Sequence, residues 1–302
     1  MATPALVEIF EYNAFTDKPF AGNPAGVVID AAGLDTHTMQ RIASQMNLAE
    51  TAFLLPSSDP EADVRLRWFT PALEVDLCGH ATIAAFTAAA ERGLFPVSED
   101  VSRELKVETR SGMLRIRITH TDGSPRVAMQ IPVPDFTTLE VDRDAFAAVW
   151  GIGAGDLDGT WRVLQGLNYW YFPVRDRPSL AALTLRTKEL ARFDDTAAFA
   201  FYTTDTVDAD SDWLLRFFAP FHGVDEDIVT GSAQGPMGVV RLLDQENEPV
   251  EGWTELRGEQ GDLLGRPGRV GVRVLQEASK VTDVEIVGGA VAMLEGRIRA
   301  SM

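Results

Sequence analysis

The stretch RWFTPALEVDLCGHAT, Arg67 to Thr82, reads as a strand that stops at Pro71, crosses a short acidic loop and delivers Cys78, Gly79 and His80 onto a helix start. A second stretch, RFFAPFHGVDEDIVTGSAQ from Arg216 to Gln234, repeats the plan. Arg67-Trp68-Phe69-Thr70-Pro71 answers to Arg216-Phe217-Phe218-Ala219-Pro220, and Cys78-Gly79-His80-Ala81 to Thr230-Gly231-Ser232-Ala233. The two lie about 150 residues apart, which divides the chain into two similar halves. In each, a tripeptide containing glycine precedes an Ala- or Gly-rich helix. The free N–H groups and dipole of such a helix start favour an anion, and glycine lets a ligand approach the backbone. The expectation is two helix N-termini, one from each half, facing each other across a cleft and holding a small carboxylate. His80 and Ser232 would add side-chain hydrogen bonds.

Working outward, Leu6 to Phe15 is rich in β-branched and aromatic residues, as strands are, and Gly22-Asn23-Pro24-Ala25-Gly26 is a turn cluster before the strand Val27-Val28-Ile29. Asp35 or Thr36 can cap a helix running to Met46, with Met39, Ile42, Ala43 and Met46 on one face. Asn47-Leu48-Ala49-Glu50-Thr51 follows, so Glu50 sits where a helix gives way to a strand and can be aimed into a cleft. Val64 to Thr70 alternates as a strand, and Ala81 to Arg92 is a helix ended by Gly93. Strands are read at 105–109, 113–119 and 127–131. Thr121 to Pro125 and Pro132 to Asp135 are linker-like, and the boundary is placed at Asp122, giving lobes 1–122 and 123–289. In the second lobe a helix covers 143–149, strands cover 169–174, 197–203 and 213–218, and the helix after Gly231 reaches Leu243. Late strands are read at 270–274, 281–287 and 290–299, with segment 290–302 returning to the first lobe. The fold class is α+β in two lobes.

Composition limits the function. Of 302 residues, 27 are Lys or Arg and 45 are Asp or Glu, a net charge of −18 that speaks against nucleic-acid binding, which requires a basic surface. The acidity reads as a solvated surface rather than a steering device. There is no apolar run of membrane-spanning length and the N-terminus has no basic region ahead of an apolar one, so neither a membrane span nor a secretory signal is expected. A single cysteine excludes an internal disulfide and fits a cytoplasmic location. Gly151-Ile152-Gly153-Ala154-Gly155 is glycine-rich but follows a helix, whereas a dinucleotide loop follows a strand. His37, His120 and His222 have no partners at metal-ligand spacing, and no metal site is expected.

Four blocks, YNAFTDKPFAGNPAGVV, NLAET, FTPALEVDLCGHAT and FAPFHGVDEDIVTGSA, resemble in order and spacing the signatures of the PhzF (phenazine biosynthesis-like) isomerase family. The resemblance implies a diaminopimelate-epimerase-like fold, in which each lobe is a highly twisted sheet, mostly antiparallel, wrapped round a central helix. It implies homodimerisation and a cofactor-free proton shift, performed in the phenazine enzyme on a cyclic dihydro-hydroxyanthranilate. Carried over by block, Glu50 matches the glutamate that removes and returns the proton and His80 its partner. Asp227 and Ser232 match the residues that hold and polarise the substrate. The cysteine-bearing form CGHAT is similar to members whose substrates are unassigned, so the resemblance implies a reaction type and leaves the substrate open.

Glu50 read from chemistry agrees: a carbon acid needs a base within hydrogen-bond reach in an apolar surround, and Leu48, Ala49, Ala52 and Phe53 can supply one. Substrate-binding candidates are Asn23, Gly79, His80, Gly231 and Ser232, and catalytic candidates Glu50, His80 and Asp227, with Glu226 a competing acid beside Asp227. Asn23 is either a turn former or a ligand-binding amide. Cys78 excludes a two-thiol racemase, because Thr230 stands at the matching position and no second cysteine exists. A one-thiol epimerase using Cys78 and a non-catalytic metabolite-binding or protein-interaction member of the same fold remain as rivals.

Overall fold

The computed structural model describes residues 6–244 and 250–300. The chain divides into two compact units, Met1–Gln130 with Glu285–Met302, and Ile131–Val284. In chain order the first unit supplies β1 (Leu6–Ala14), β2 (Asn23–Val28), α1 (Thr36–Met46), β3 (Thr51–Leu55), β4 (Val64–Phe69) and β5 (Glu74–Val75). It continues with α2 (Gly79–Glu91), β6 (Arg103–Thr109), β7 (Gly112–Thr121) and β8 (Ser124–Ile131). The second holds β9 (Phe136–Thr138), α3 (Arg143–Trp150), β10 (Arg162–Leu164), β11 (Tyr169–Pro173), α4 (Arg177–Ala182), α5 (Thr187–Leu190), β12 (Ala198–Thr203) and β13 (Trp213–Ala219). After these come β14 (Val224–Asp227), α6 (Gly231–Asp244), β15 (Gly252–Gln260), β16 (Gly268–Glu277) and β17 (Lys280–Gly288), which passes into the first unit at Glu285. The last strand, β18 (Ala290–Arg299), belongs to the first unit, where it pairs antiparallel with β1.

The sequence repeat is a repeat of topology. In the first unit β2 runs parallel to β3, β3 antiparallel to β4, β4 antiparallel to β5 and parallel to β6, and β6 antiparallel to β7. In the second, β11, β12, β13, β14, β15 and β16 repeat each of those relations in the same order. The duplication extends to side chains. Arg67 grips Glu74 through Nε–Oε1 at 2.7 Å and Nη2–Oε2 at 2.8 Å, and Arg216 grips Glu226 with the same two atoms at the same two distances. Each guanidinium also lies over the phenyl ring two residues on, Phe69 and Phe218.

Alternation along the strands explains why both sheet faces are apolar. Phe69 and Phe53 face α1, where Met39, Ile42 and Ala43 complete a core with Val7, Ile9 and Val28. Trp68, one residue away and therefore on the opposite face, donates its indole N–H to Thr82 of α2 at 3.1 Å. Every residue of α2 from His80 to Ala90 is buried, as an Ala-rich helix enclosed by a sheet must be. In the second unit Phe172, Phe201 and Phe218 pack on α3 residues Phe146 and Trp150. On the other face Tyr171 donates to the Ala233 carbonyl of α6 at 3.0 Å. Gly258 makes room for that helix: a Cβ there would lie 2.1 Å from the side-chain oxygen of Gln234.

The structure departs from the sequence reading in places. Asp122 is a turn residue with φ 53° between β7 and β8, and the units divide at residues 130 and 131. The polar string read as a linker is a hairpin turn, which draws on the same residue types. The long strand β15 was not foreseen. Its Trp253-Thr254-Glu255-Leu256-Arg257 pattern is cut short by Gly258 and ends in Glu259 and Gln260, both buried. Gly151 is the left-handed C-cap of α3, which accounts for the glycine-rich stretch. Among the described residues no helix is long and apolar enough to cross a membrane.

Candidate active site

In the first unit the predicted residues Glu50 and His80 come together. The parallel pairing of β2 and β3 fixes Glu50, because Gly26 N–H donates to the Glu50 carbonyl at 3.0 Å. Gly26 is required there: a Cβ would lie 2.6 Å from Thr51 Oγ1. The GNPAG and NLAET blocks are thus two sides of one strand pairing. Asn23 opens β2 opposite Ala14 and is buried.

His80 is the second residue of α2, so its direction depends on how that helix begins. Cys78 is the N-cap and gives its side chain to no helix N–H. Its carbonyl accepts from Thr82 Oγ1 at 2.6 Å, while Thr82 accepts from Trp68. With the helix start so held, His80 Nε2 lies 3.2 Å from Glu50 Oε2, close enough for an ion pair but without the alignment of a hydrogen bond. Cys78 Sγ stands 3.5 Å from the other ring nitrogen, Nδ1. Glu50, Cys78 and His80 each offer one ligand atom within 4.8 Å of the others, a carboxylate–thiol–imidazole set whose chemistry suits a thiophilic divalent ion.

In the second unit Asp227 ends β14, and Gly231 and Ser232 open α6. Thr230 donates to Asp227 Oδ2 at 2.6 Å. Gln260 Nε2 donates to Thr230 Oγ1 and to the Asp227 carbonyl, both at 3.0 Å, and its Oε1 accepts from Thr230 N–H at 3.0 Å. Gln234 joins this cluster to the core: its Nε2 donates to Gln260 Oε1 at 3.1 Å and its Oε1 accepts from Trp213 Nε1 at 2.7 Å. Asp227 is therefore held by a buried polar chain that starts at a tryptophan. Ser232 Oγ is 3.4 Å from the Tyr169 hydroxyl.

Glu226, the competing acid, is bound by Arg216 and belongs to the hairpin rather than to this cluster. Thr230, Gln260, Gln234 and Tyr169 are the contributors the sequence reading missed. Thr230 carried a signal, since it occupies the position of Cys78 in the repeat. Gln260 carried none, lying 30 residues downstream in a strand without a motif.

Two units of the same topology, each a mostly antiparallel sheet round a buried helix, make up the fold. A hydroxyproline epimerase from Agrobacterium vitis shares the fold, with a TM-score of 0.59 at 14% identity over 99% of this chain and 94% of its own. The family model "Phenazine biosynthesis-like protein" (PhzC-PhzF) matches residues 12–296, and the chain belongs to that family and is an isomerase. The uncharacterized isomerase YfhB of Bacillus subtilis is 32% identical over 94% of this chain and 96% of its own. The trans-2,3-dihydro-3-hydroxyanthranilate isomerase of Pseudomonas aeruginosa is 31% identical over 94% of this chain and 96% of its own. Among solved structures, a PhzF-family protein of Bacillus anthracis is 32% identical, with a TM-score of 0.86 over 97% of this chain and 99% of that one.

Proposed function

We propose that this isomerase shifts a proton on a small cyclic amino- or hydroxy-carboxylate without a cofactor, with Glu50 as acid and base. The observation that carries this reading is the 3.2 Å contact of His80 Nε2 with Glu50 Oε2. The Glu50 side chain keeps 21% exposure and that of His80 only 8%, which suits a base that substrate reaches and a partner enclosed behind it. In the proposed step the Glu50 carboxylate takes a proton from a substrate carbon, and the C–H electron pair moves into the adjacent unsaturated system. The Glu50 carboxyl, exposed enough to exchange its proton with solvent, then delivers a proton to a second carbon, so no redox partner is needed. His80 faces the Glu50 carboxylate as its polar partner. Asp227 and Ser232 hold the substrate's polar substituents, Asn23 adds an amide, and the helix starts at Gly79 and Gly231 offer N–H groups to its carboxylate. The name of the Pseudomonas aeruginosa relative supports the substrate class.

A second reading rests on Cys78 Sγ standing 3.5 Å from His80 Nδ1, a thiol–imidazole spacing suited to a one-thiol epimerase. Both are tested by incubating chelator-dialysed enzyme with a panel of cyclic and acyclic amino and hydroxy carboxylates, followed by proton NMR. The expected result is isomerisation of a cyclic unsaturated carboxylate that survives Cys78→Ser. Loss of all turnover in Cys78→Ser would favour the thiol reading, and turnover only after a metal or nucleotide is added would contradict the cofactor-free one.

A further inference from the structure

We infer that Cys78 is a positioning residue whose thiol fixes the tautomer of His80, a role that deepens the acid/base reading above and rests on it for its catalytic consequence. The imidazole ring has two faces to satisfy. Nε2 looks at Glu50 Oε2 from 3.2 Å, and Nδ1 looks at Cys78 Sγ from 3.5 Å. In the base form the proposed reaction requires, the Glu50 carboxylate only accepts, so the Nε2 that faces it carries the hydrogen, and in a neutral ring Nδ1 is then a bare acceptor. Buried as His80 is, a bare Nδ1 needs a donor, and the Cys78 S–H is placed to be one. Cys78 occupies the N-cap yet caps no helix N–H, and its carbonyl is held by Thr82.

The second repeat solves the same problem at the same position. Thr230 answers to Cys78, and its hydroxyl accepts from Gln260 Nε2 at 3.0 Å, which directs its own hydrogen to Asp227 Oδ2 at 2.6 Å. In each unit the residue before the helix glycine therefore hydrogen-bonds a proposed site residue, two positions downstream at His80 and three upstream at Asp227. The position acts through its neighbour in both. Serine keeps a donor at this position with a slightly shorter reach and is the conservative replacement at Cys78, whereas alanine leaves Nδ1 without that donor.

The test is the histidine tautomer read by nitrogen-15 NMR on protein labelled in the imidazole rings. The chain has four histidines, and His80 is assigned by its absence in His80→Gln. The expected result is hydrogen on Nε2 of His80 in the wild type and in Cys78→Ser, with the Nδ1–H form gaining population in Cys78→Ala. In turnover, Cys78→Ala is expected to lose about 10-fold in kcat at little changed KM, with recovery in Cys78→Ser. A wild-type His80 carrying its hydrogen on Nδ1, or a tautomer that is the same in Cys78→Ala, would overturn the inference. The tautomer measurement needs no substrate and no folded alanine variant to fail, so it is decided separately from the role of Glu50.

Discussion

His80 Nε2 and Glu50 Oε2 lie 3.2 Å apart although the two backbones are held by unrelated means. Glu50 is fixed by the parallel pairing of β3 with β2, and His80 by the polar clasp of Trp68 and Thr82 at the start of α2. Because neither anchor depends on the contact, removing the imidazole leaves the carboxylate in place without its partner. His80→Gln is therefore expected to fold normally and to lower kcat by about 10²-fold, which thermal unfolding and steady-state kinetics measure together.

Gly26 is the hinge between sequence and site. A methyl group there would press on Thr51 Oγ1 at 2.6 Å, beside the residue that carries the base. Gly26→Ala is expected to cost about 1–3 kcal/mol and to lower kcat by moving Glu50. Denaturant titration gives the first effect and kinetics the second. Wild-type values in both would show that the strand pairing does not set the base.

Glu226 and Asp227 are neighbours with separate duties. Glu226 is bound in two places by Arg216, whose guanidinium also donates to the Leu180 and Leu183 carbonyls, so Glu226→Gln is expected to cost about 1–3 kcal/mol of stability and leave kcat intact. Asp227→Asn is expected to behave in the opposite way, with stability near wild type and turnover lost. A paired measurement of melting temperature and kcat for the two variants checks both.

Thr230→Val keeps the shape of the side chain while removing the hydroxyl that binds Asp227 and accepts from Gln260. It leaves a buried amide donor short of a partner, so a stability loss of about 1–3 kcal/mol is expected together with a raised KM. Thr230→Ser is expected to restore both.

Acid sensitivity has an identified source at Glu108. The Ser57 hydroxyl, with Ser58 and its backbone, holds this carboxyl down from 4.5 to about 2. A carboxylate whose folded value lies below its unfolded one contributes stability that is complete above the unfolded value and lost as pH falls towards the folded one. The loss is thus expected between pH 4.5 and about 2. Glu108→Gln should flatten the fall in melting temperature over that window and be less stable than wild type above it.

The legible part of the molecule is the part written twice. The hairpin arginines, the strand ending in proline and the glycine at each helix start made the two halves visible. Apolar periodicity placed α1, the Ala-rich run ended by Gly93 placed α2, the repeated glycine start placed α6, and alternation placed most strands, all within a few residues. What escaped is what repeats do not encode. Gln260 reaches Asp227 from the end of a strand whose apolar alternation stops at Gly258, and the Thr121-Asp122-Gly123-Ser124 turn has the composition of a linker. The pairing of Glu50 with His80 was available only through the family blocks. Periodicity gives each residue a local face, and 30 residues of intervening chain hide the meeting of the two.

The most direct test of the central claim is exchange of solvent deuterium into a turned-over carboxylate, read by mass spectrometry for wild type and Glu50→Gln side by side. Label that enters the product with wild type and is absent with a folded Glu50→Gln enzyme is the expected result, and it assigns the proton transfer to that carboxylate. Label entering at an undiminished rate in Glu50→Gln would contradict it and make another group the base.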